Sequence, residues 1–456
     1  MKIIILGAGQ VGSSLLASLS GEKNDIVMVD VRADLLRKLQ DRFDIRTVQG
    51  NAAHPTILQT AGAAEADMLI AATSDDETNM LACSMADILF KVPRKIARVR
   101  AIEYFSFPGL FSPETIPIDY VISPEQIITQ FIQRLLEYPG ATQVLDFAEG
   151  RVRMVSVCAV RGGLMVGREI RELHQHMPNF HARVAAIFRD GQPIVPNGST
   201  IINHGDEVFF LASADEIKDV MSEMRKSEKS YKRLIFAGGG HVGKRVAMAL
   251  EDSYNVKVIE RDMNRAEKIA AQLRKATVLV GDASDKDLLQ SENIESADVF
   301  CAITNNDEAN ILSAMLAKRL GARRVICLVN NDAYADIVDA SHVDLVISPQ
   351  QATISALLRY IRRGDIAQVY SLRHGSSEAI EMVAHGTQGQ SKVIGVPLNQ
   401  IEIPDGVVMG ALVRGDEVLQ VHHDTLIEDG DHVIMFLLDK KLIPDVERLF
   451  HSVQEV

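Results

Sequence analysis

The sequence predicts an α/β protein built twice: two tandem domains with doubly wound parallel sheets, each followed by a small α+β module. Three observations carry this. Two glycine loops of one pattern, GAGQVG at residues 7–12 and GGGHVG at 238–243, each follow an apolar run, at 3–6 and 234–237. After each loop, short unbroken apolar runs alternate with helical stretches. The whole pattern then recurs at a long fixed interval, as expected of a duplicated unit.

In the first copy the strand-like runs fall at residues 3–6, 26–29, 46–49, 68–71 and 96–99, with helical stretches such as 11–19 and 35–41 between them. Continuous apolar strands need cover on both faces, and β-α alternation puts crossover helices there, so the sheet is expected to be parallel and doubly wound. VISP at 121–124 ends this pattern and opens a helix over 125–137, with Ile127, Ile128, Phe131, Ile132, Leu135 and Leu136 on one face. That face, and the one after the second VISP at 346–349, is wider than capping requires. Both helices are therefore expected to pack across lobes, with burial in their own domain as the alternative. Beyond residue 140 the pattern shortens to alternating strands, RMVSVCAV from Arg153 and VAAIF with VFFLA across an RDGQ turn.

The repeat is explicit. Gly7 and Gly238, Gly50 and Gly281, and Thr73 and Thr304 are each 231 residues apart. GNAAH matches GDASD, and AATSDDETN matches AITNNDEAN. VISPEQ and VISPQQ, like HGDEV and DGDHV, are 225 apart, which places a short net insertion in the first copy near FSFPGLFSPETIP at 105–117. Its prolines suit a loop. RKSEKSYKR at 225–233 is the best linker. The expected domains are 1–123 and 232–348 for the doubly wound lobes and 143–227 and 368–453 for the small modules.

The chain has 456 residues, 47% hydrophobic and 24% charged, and a mean hydropathy of +0.05 describes an ordinary soluble protein. A formal charge of −13 disfavours nucleic acid and anionic lipid as direct partners, since both need a basic face. No apolar run approaches the roughly 18 residues of a membrane span, and the run after Lys2 is too short for a signal peptide. Cys83, Cys158, Cys301 and Cys327 show neither C-x-x-C nor zinc spacing and read as small buried residues of a reducing compartment.

Glycines at these spacings have separate tasks in a β-α-β unit: the first permits the turn, the second lets phosphate approach the backbone, and the third lets helix pack on strand. The helix N-terminus then meets phosphate with free N–H groups and a positive dipole end. Asp30, 18 residues after Gly12, and Glu260, 17 after Gly243, stand at the end of the second strand. An acid there accepts hydrogen bonds from ribose hydroxyls and repels a 2′-phosphate, favouring NAD(H) or an adenosine phosphate over NADP(H). Asn51 and Asp282 either contact the adenosine edge or cap the next helix. Thr73 and Thr304 either face the crevice or act as N-caps. Arg98, on the fifth strand, offers a cation to phosphate; its counterpart is Leu328, so the two sites are not expected to be equivalent. His241 either touches phosphate or faces solvent. His174 with His176 and His422 with His423 read as surface histidines or as metal ligands. No Y-x-x-x-K, G-x-x-x-x-G-K-[ST] or H-E-x-x-H motif is present, and no catalytic residue is visible.

The paired glycine loops, the strand-2 acids, GNA and GDA, TSDDETN and TNNDEAN, the two VISP stretches and the HGD and DGD turns together resemble the tandem RCK (KTN plus TrkA-C) regulatory subunits of bacterial Trk/Ktr-type potassium-uptake systems, over residues 1–450. The resemblance implies nucleotide binding in two Rossmann-like lobes, with NAD(H) and ATP or ADP as ligands. It implies control of a membrane potassium channel-like partner, assembly into a tetrameric gating ring, and a cytoplasmic place at the inner face of the membrane through that partner. The implied binding residues are Gly7, Ala8, Gly9, Gln10, Val11, Gly12, Asp30, Asn51, Thr73, Ser74 and Arg98 in the first copy. In the second they are Gly238, Gly239, Gly240, His241, Val242, Gly243, Glu260, Asp282 and Thr304. The competing reading is an NAD-dependent dehydrogenase with its catalytic groups in the small modules.

Overall fold

The structure, a computed structural model, describes all residues except 21–23, 177–181, 225–228, 332–333, 335–337, 339–342, 363–365, 373–375, 388–390, 420 and 451–456. Its chain divides into two compact units, residues 1–128 with 348–360, and residues 129–347 with 361–456.

The first unit holds six parallel strands, β1 (Lys2–Leu6), β2 (Asp25–Asp30), β3 (Arg46–Gln49), β4 (Met68–Ala71), β5 (Arg94–Arg98) and β6 (Tyr120–Ile122), in the order β3-β2-β1-β4-β5-β6. Helices α1 (Gln10–Leu19), α2 (Ala33–Gln40), α3 (Pro55–Ala61) and α4 (Asp76–Phe90) are the crossovers, and the short α5 (Ile102–Phe105) opens the proline-bearing loop before β6. Ile3, Ile4, Ile5 and Leu6 of β1 are fully buried, the cost-free state for a continuous apolar strand covered on both faces. The order reverses between β1 and β4, and that switch opens a crevice beyond the strands' carboxyl ends. Asp75 caps α4 by accepting from the Thr78 N–H at 2.8 Å.

The second unit begins within α6 (Pro124–Glu137). It continues through β7 (Ala141–Phe147), β8 (Val152–Cys158), α7 (Leu173–His176), β9 (Arg183–Arg189), β10 (Gln192–Ile194), β11 (Glu207–Ser213) and α8 (Ile217–Met224), with sheet order β10-β9-β11-β8-β7. The second parallel sheet repeats the first as β14-β13-β12-β15-β16-β17. Its elements are β12 (Arg233–Ala237), α9 (His241–Leu250), β13 (Asn255–Glu260), α10 (Met263–Ala270), β14 (Thr277–Val280), α11 (Lys286–Ser291), β15 (Val299–Ala302), α12 (Asp307–Arg319), β16 (Arg324–Leu328) and β17 (Leu345–Ile347). After α13 (Pro349–Ile361) come β18 (Ile366–Leu372), β19 (Ser377–Val383), β20 (Val407–Arg414), β21 (Glu417–Leu419), β22 (His432–Leu437) and α14 (Ile443–Phe450), with sheet order β18-β19-β22-β20-β21. The two small sheets share one core, in which Phe209 lies 5.7 Å from Phe436 between ring centroids.

Two sequence expectations are corrected here. The RDGQ turn joins β9 to the short β10, not to VFFLA, which is β11 and pairs between β9 and β8. Asp190 and Gly191 both have positive φ, 50° and 77°, as a two-residue hairpin turn of this hand requires. Of the linker, residues 225–228 lie outside the described residues, while Tyr231 is buried and Arg233 already opens β12. The HGD and DGD turns prove to be braces: Asp206 and Asp431 are buried, and each forms a bidentate fork with an arginine, Arg189 and Arg414.

Residues 349–360 of α13 group with the first copy's sheet, as expected of packing across lobes. Tyr120 of β6 stacks on Tyr360 with 3.8 Å between ring centroids, and Arg94 Nη1 donates to the Tyr360 carbonyl at 3.1 Å. In the second unit Arg324, 230 residues beyond Arg94, donates from Nη2 to the carbonyl of Ala141, just past α6, and from Nη1 to Tyr231 Oη at 3.2 Å.

Candidate functional site

Both glycine loops take one shape. Gly7 and Gly238 have φ of 103° and 111°, a conformation closed to most side chains. A Cβ on Gly12 would lie 1.9 Å from the Gly7 carbonyl oxygen, and one on Gly243 1.9 Å from that of Gly238, so the third glycine is fixed by helix packing. Gly9 and Gly240 meet nothing within 4 Å. They are the N-caps of α1 and α9, and neither helix has a side-chain cap, which leaves first-turn N–H groups and the positive dipole end for an external anion. Gln10 and His241 are the first helical residues and are exposed, the solvent-facing alternative for His241; Val11 and Val242 are half-buried behind them.

The strand-2 acids brace the loops. Asp30 is buried; Oδ2 accepts from the Ala8 N–H at 2.7 Å and Oδ1 from the Arg32 N–H at 2.8 Å. Glu260 repeats this with the Gly239 N–H at 2.9 Å and the Asp262 N–H at 2.8 Å. Each has an arginine beside it, Arg32 Nε at 3.5 Å and Arg265 Nη1 at 3.4 Å. Each carboxylate oxygen retains acceptor capacity beyond the backbone bonds.

Asn51 and Asp282 are exposed and close turns, accepting from the Ala53 N–H at 2.9 Å and the Ser284 N–H at 2.8 Å, while the N-caps of the following helices are His54 and Asp285. Thr73 and Thr304 do not cap α4 and α12; Asp75 and Asn306 do. Instead each threonine is held by a residue that the sequence reading left unassigned. Asn79 is fully buried; its Oδ1 accepts from Thr73 N–H (3.0 Å) and Oγ1 (2.7 Å), and its Nδ2 donates to the carbonyls of Thr73 (3.3 Å) and Arg98 (2.9 Å). Asn310 ties Thr304 and Leu328 in the same way. One buried amide thus fixes the carboxyl ends of β4 and β5 together. The signal was present in the repeat TSDDETN and TNNDEAN.

Ser74 is exposed, and its carbonyl accepts from Arg100 Nη2. Arg100, also unassigned from sequence, lies beside Asp76, whose Oδ2 accepts from the N–H groups of Arg100 (2.8 Å) and Ala101 (2.9 Å). Arg98 has a buried Nε with no hydrogen-bond partner among the described residues. Burial pushes its guanidinium below the ordinary value, and the Glu125 carboxylate opposes that shift. An orphaned donor on a desolvated cation, beside an uncapped helix end, fits an anionic group. In the second copy Leu328 and Asn330 replace both arginines.

Elsewhere, His176 lies between Glu223, 3.1 Å from Nδ1, and Arg168, 2.7 Å from Nε2; the His174 side chain lies outside what is described. His422 and His423 are exposed. Cys83, Cys301 and Cys327 are buried, and burial pushes their thiols up, away from reactivity. No helix among the described residues is long and apolar enough to cross a membrane.

With this geometry in place, the TrkA-N domain family model matches residues 3–124 and 234–349, and the TrkA-C domain model matches 157–225. Trk system potassium uptake protein TrkA of Halomonas elongata is 53% identical over 450 residues, covering 99% of this chain and 98% of its own. The chain belongs to the TrkA family of Trk system potassium uptake proteins. The Vibrio alginolyticus member is 53% identical over 451 residues, and that of Haemophilus influenzae 48% over 451, each covering 99% of this chain and 98% of the relative. The family is one of regulatory subunits of potassium uptake, not of enzymes, and the dehydrogenase reading falls. Among solved structures, the GsuK RCK domain aligns with a TM-score of 0.61 at 16% identity over 98% of this chain and 94% of that one. The GsuK channel bound to NAD aligns at 0.63 and 16% over 98% and 78%. At that identity they speak for the fold: repeated RCK units with Rossmann-like lobes.

Proposed function

We propose that this subunit senses NAD(H) and ATP or ADP in its two doubly wound lobes and through them gates a membrane potassium channel-like partner. The observation that carries this is the paired apparatus at the crevice: a glycine loop braced by an acid, leading into an uncapped helix, built twice. The ligand-contacting set comprises the loops 7–12 and 238–243 with Asp30, Asn51, Thr73, Ser74 and Arg98, and with Glu260, Asp282 and Thr304. Asp30 and Glu260 supply ribose acceptors while holding the loop backbone. The free helix ends receive pyrophosphate, and Arg98 receives a further phosphate in the first lobe only. The second lobe, with Leu328 and Asn330, takes a ligand whose charge is confined to the pyrophosphate. NAD and ADP in the titles of GsuK structures match this chemistry in a protein of the same fold.

The four domains of this reading are 1–123, 143–227, 232–348 and 368–453. The chain assembles as a homotetrameric gating ring and sits at the cytoplasmic face of the membrane through its protein partner, without direct lipid binding. Calorimetric titration of NADH, NAD, ATP and ADP tests the ligands. Asp30→Ala removes acceptors that contribute about 1.5–3 kcal/mol each, so affinity at the first site falls tenfold or more. Unchanged binding and unchanged nucleotide control of potassium flux in an Asp30→Ala, Glu260→Ala chain would refute the assignment. Light scattering tests assembly, which fails if the mass is that of one 50.1 kDa chain.

A further inference from the structure

The corner of the first site around Arg98 differs from its counterpart in a correlated way. Arg98 pairs with Ile122 in the β5-β6 register, and Leu328 pairs with Ile347 in β16-β17, so the two positions are equivalent in space as well as in sequence. Three residues past Ile122 stands Glu125, in the first turn of α6; three past Ile347 stands Gln350. The arginine and the glutamate are therefore lost together, as leucine and glutamine, while Asp76 is kept as Asp307. Paired loss is what a mutual charge relation produces. The remaining groups agree. Asp76 is committed to the Arg100 and Ala101 N–H groups and lies 3.5 Å from Arg100 Nε, which leaves Glu125 as the carboxylate opposite Arg98. Glu125 also leads the causes that hold the desolvated Arg98 in its charged form. The N-terminal turn of α6 favours a carboxylate at that position.

We propose that Glu125 is the specificity-determining residue of the first site. It faces Arg98 as an internal counter-charge, a nucleoside phosphate binds by displacing it, and its charge sets how much affinity each added phosphate gains. This rests on reading the first glycine loop as a nucleotide site. A neutral adenosine meets no competition, whereas each phosphate must both replace Glu125 at Arg98 and bear its repulsion, so the residue compresses the ladder from adenosine to ATP. Without Glu125 the ladder steepens; without Arg98 there is little ladder to steepen.

The test is calorimetry on the full-length chain with adenosine, AMP, ADP and ATP in magnesium-free buffer, where phosphate charge is unmasked. Glu125→Gln leaves adenosine unchanged and tightens ATP by about tenfold, with ADP between them. Glu125→Asp keeps the wild-type ladder. Arg98→Leu flattens it, and Arg98→Leu with Glu125→Gln, the second copy's residues, keeps it flat. Melting without ligand separates this from a packing role: Glu125→Gln lowers Tm by stripping a desolvated arginine of its counter-charge, yet enlarges the rise in Tm on adding ATP. Equal effects on adenosine and ATP, or weaker ATP binding in Glu125→Gln, would overturn the assignment. A wild-type chain that binds none of the four ends the nucleotide reading as well, whereas binding with an unaltered ladder ends only the role of Glu125.

Discussion

Ala8 with Asp30 in the first copy becomes Gly239 with Glu260 in the second, and the exchange has a steric cause. The longer glutamate still accepts from the backbone N–H of residue 239, but a Cβ there would lie 3.1 Å from Glu260 Oε2 and 2.5 Å from Ile269 Cδ1. Gly239→Ala should therefore cost about 1–2 kcal/mol by overpacking, and Glu260→Asp on top of it should recover most of that loss. A denaturant double-mutant cycle measures it; additive effects would show that the two positions do not share space. Asn79 makes a second residue-scale case. Asn79→Ala strands the Thr73 N–H and the Arg98 carbonyl in a buried setting and should destabilise by about 2–4 kcal/mol in urea melts, whereas an exposed neighbour such as Ser74→Ala should change little. The glycines and acids were legible because turn geometry and ribose chemistry restrict residue type at fixed spacing. Asn79 was not, since a buried asparagine does its work through partners that are 6 and 19 residues away in sequence and meet only in the folded sheet.

At the scale of elements, strands and crossover helices followed from period and burial, and their positions moved by no more than two residues at the ends. The small modules were less legible: period-2 runs announce strands but not partners, so VFFLA was joined to the wrong neighbour across the RDGQ turn. The faces of α6 and α13 announced burial without saying where. The stack of Tyr120 on Tyr360, with the Arg359 guanidinium 4.3 Å from the Tyr360 ring centre, gives α13 its seat in the first unit. Its counterparts in the repeat are Leu345 and Leu135, so this aromatic contact is particular to one half. Tyr120→Ala and Tyr360→Ala should show a coupling of about 1 kcal/mol in a thermal or urea cycle. Zero coupling would mean that the rings sit together without contributing to the seat of the helix.

For the whole molecule, the sequence repeat and the contact division cut the chain differently. Duplication marks a boundary near residue 230, but the first unit recruits residues 348–360 from the second copy, and the second unit takes everything from residue 129 to 347. A chain of residues 1–231 therefore lacks the helix that Tyr120 and Arg94 receive, and a chain of residues 232–456 lacks α6 and the first small module, whose Phe147, Phe188 and Phe209 complete the shared core. The missing helix of the first half has a homologue at hand in its own α6, which carries the same SP start and a comparable apolar face. Two copies of residues 1–231 can each lend α6 to the other, as one chain lends α13 to itself, at the cost of the tyrosine stack. The expected outcome is that residues 1–231 alone run as a dimer in light scattering and melt below the intact chain. Adding residues 232–456 should convert that dimer to a complex of the two halves, because only the true α13 restores Tyr360 to Tyr120. A monomeric first half as stable as the full chain would mean that the exchanged helices are ornaments on self-sufficient repeats. Failure of the two halves to combine would mean that covalent continuity through residues 225–233 is what brings them together.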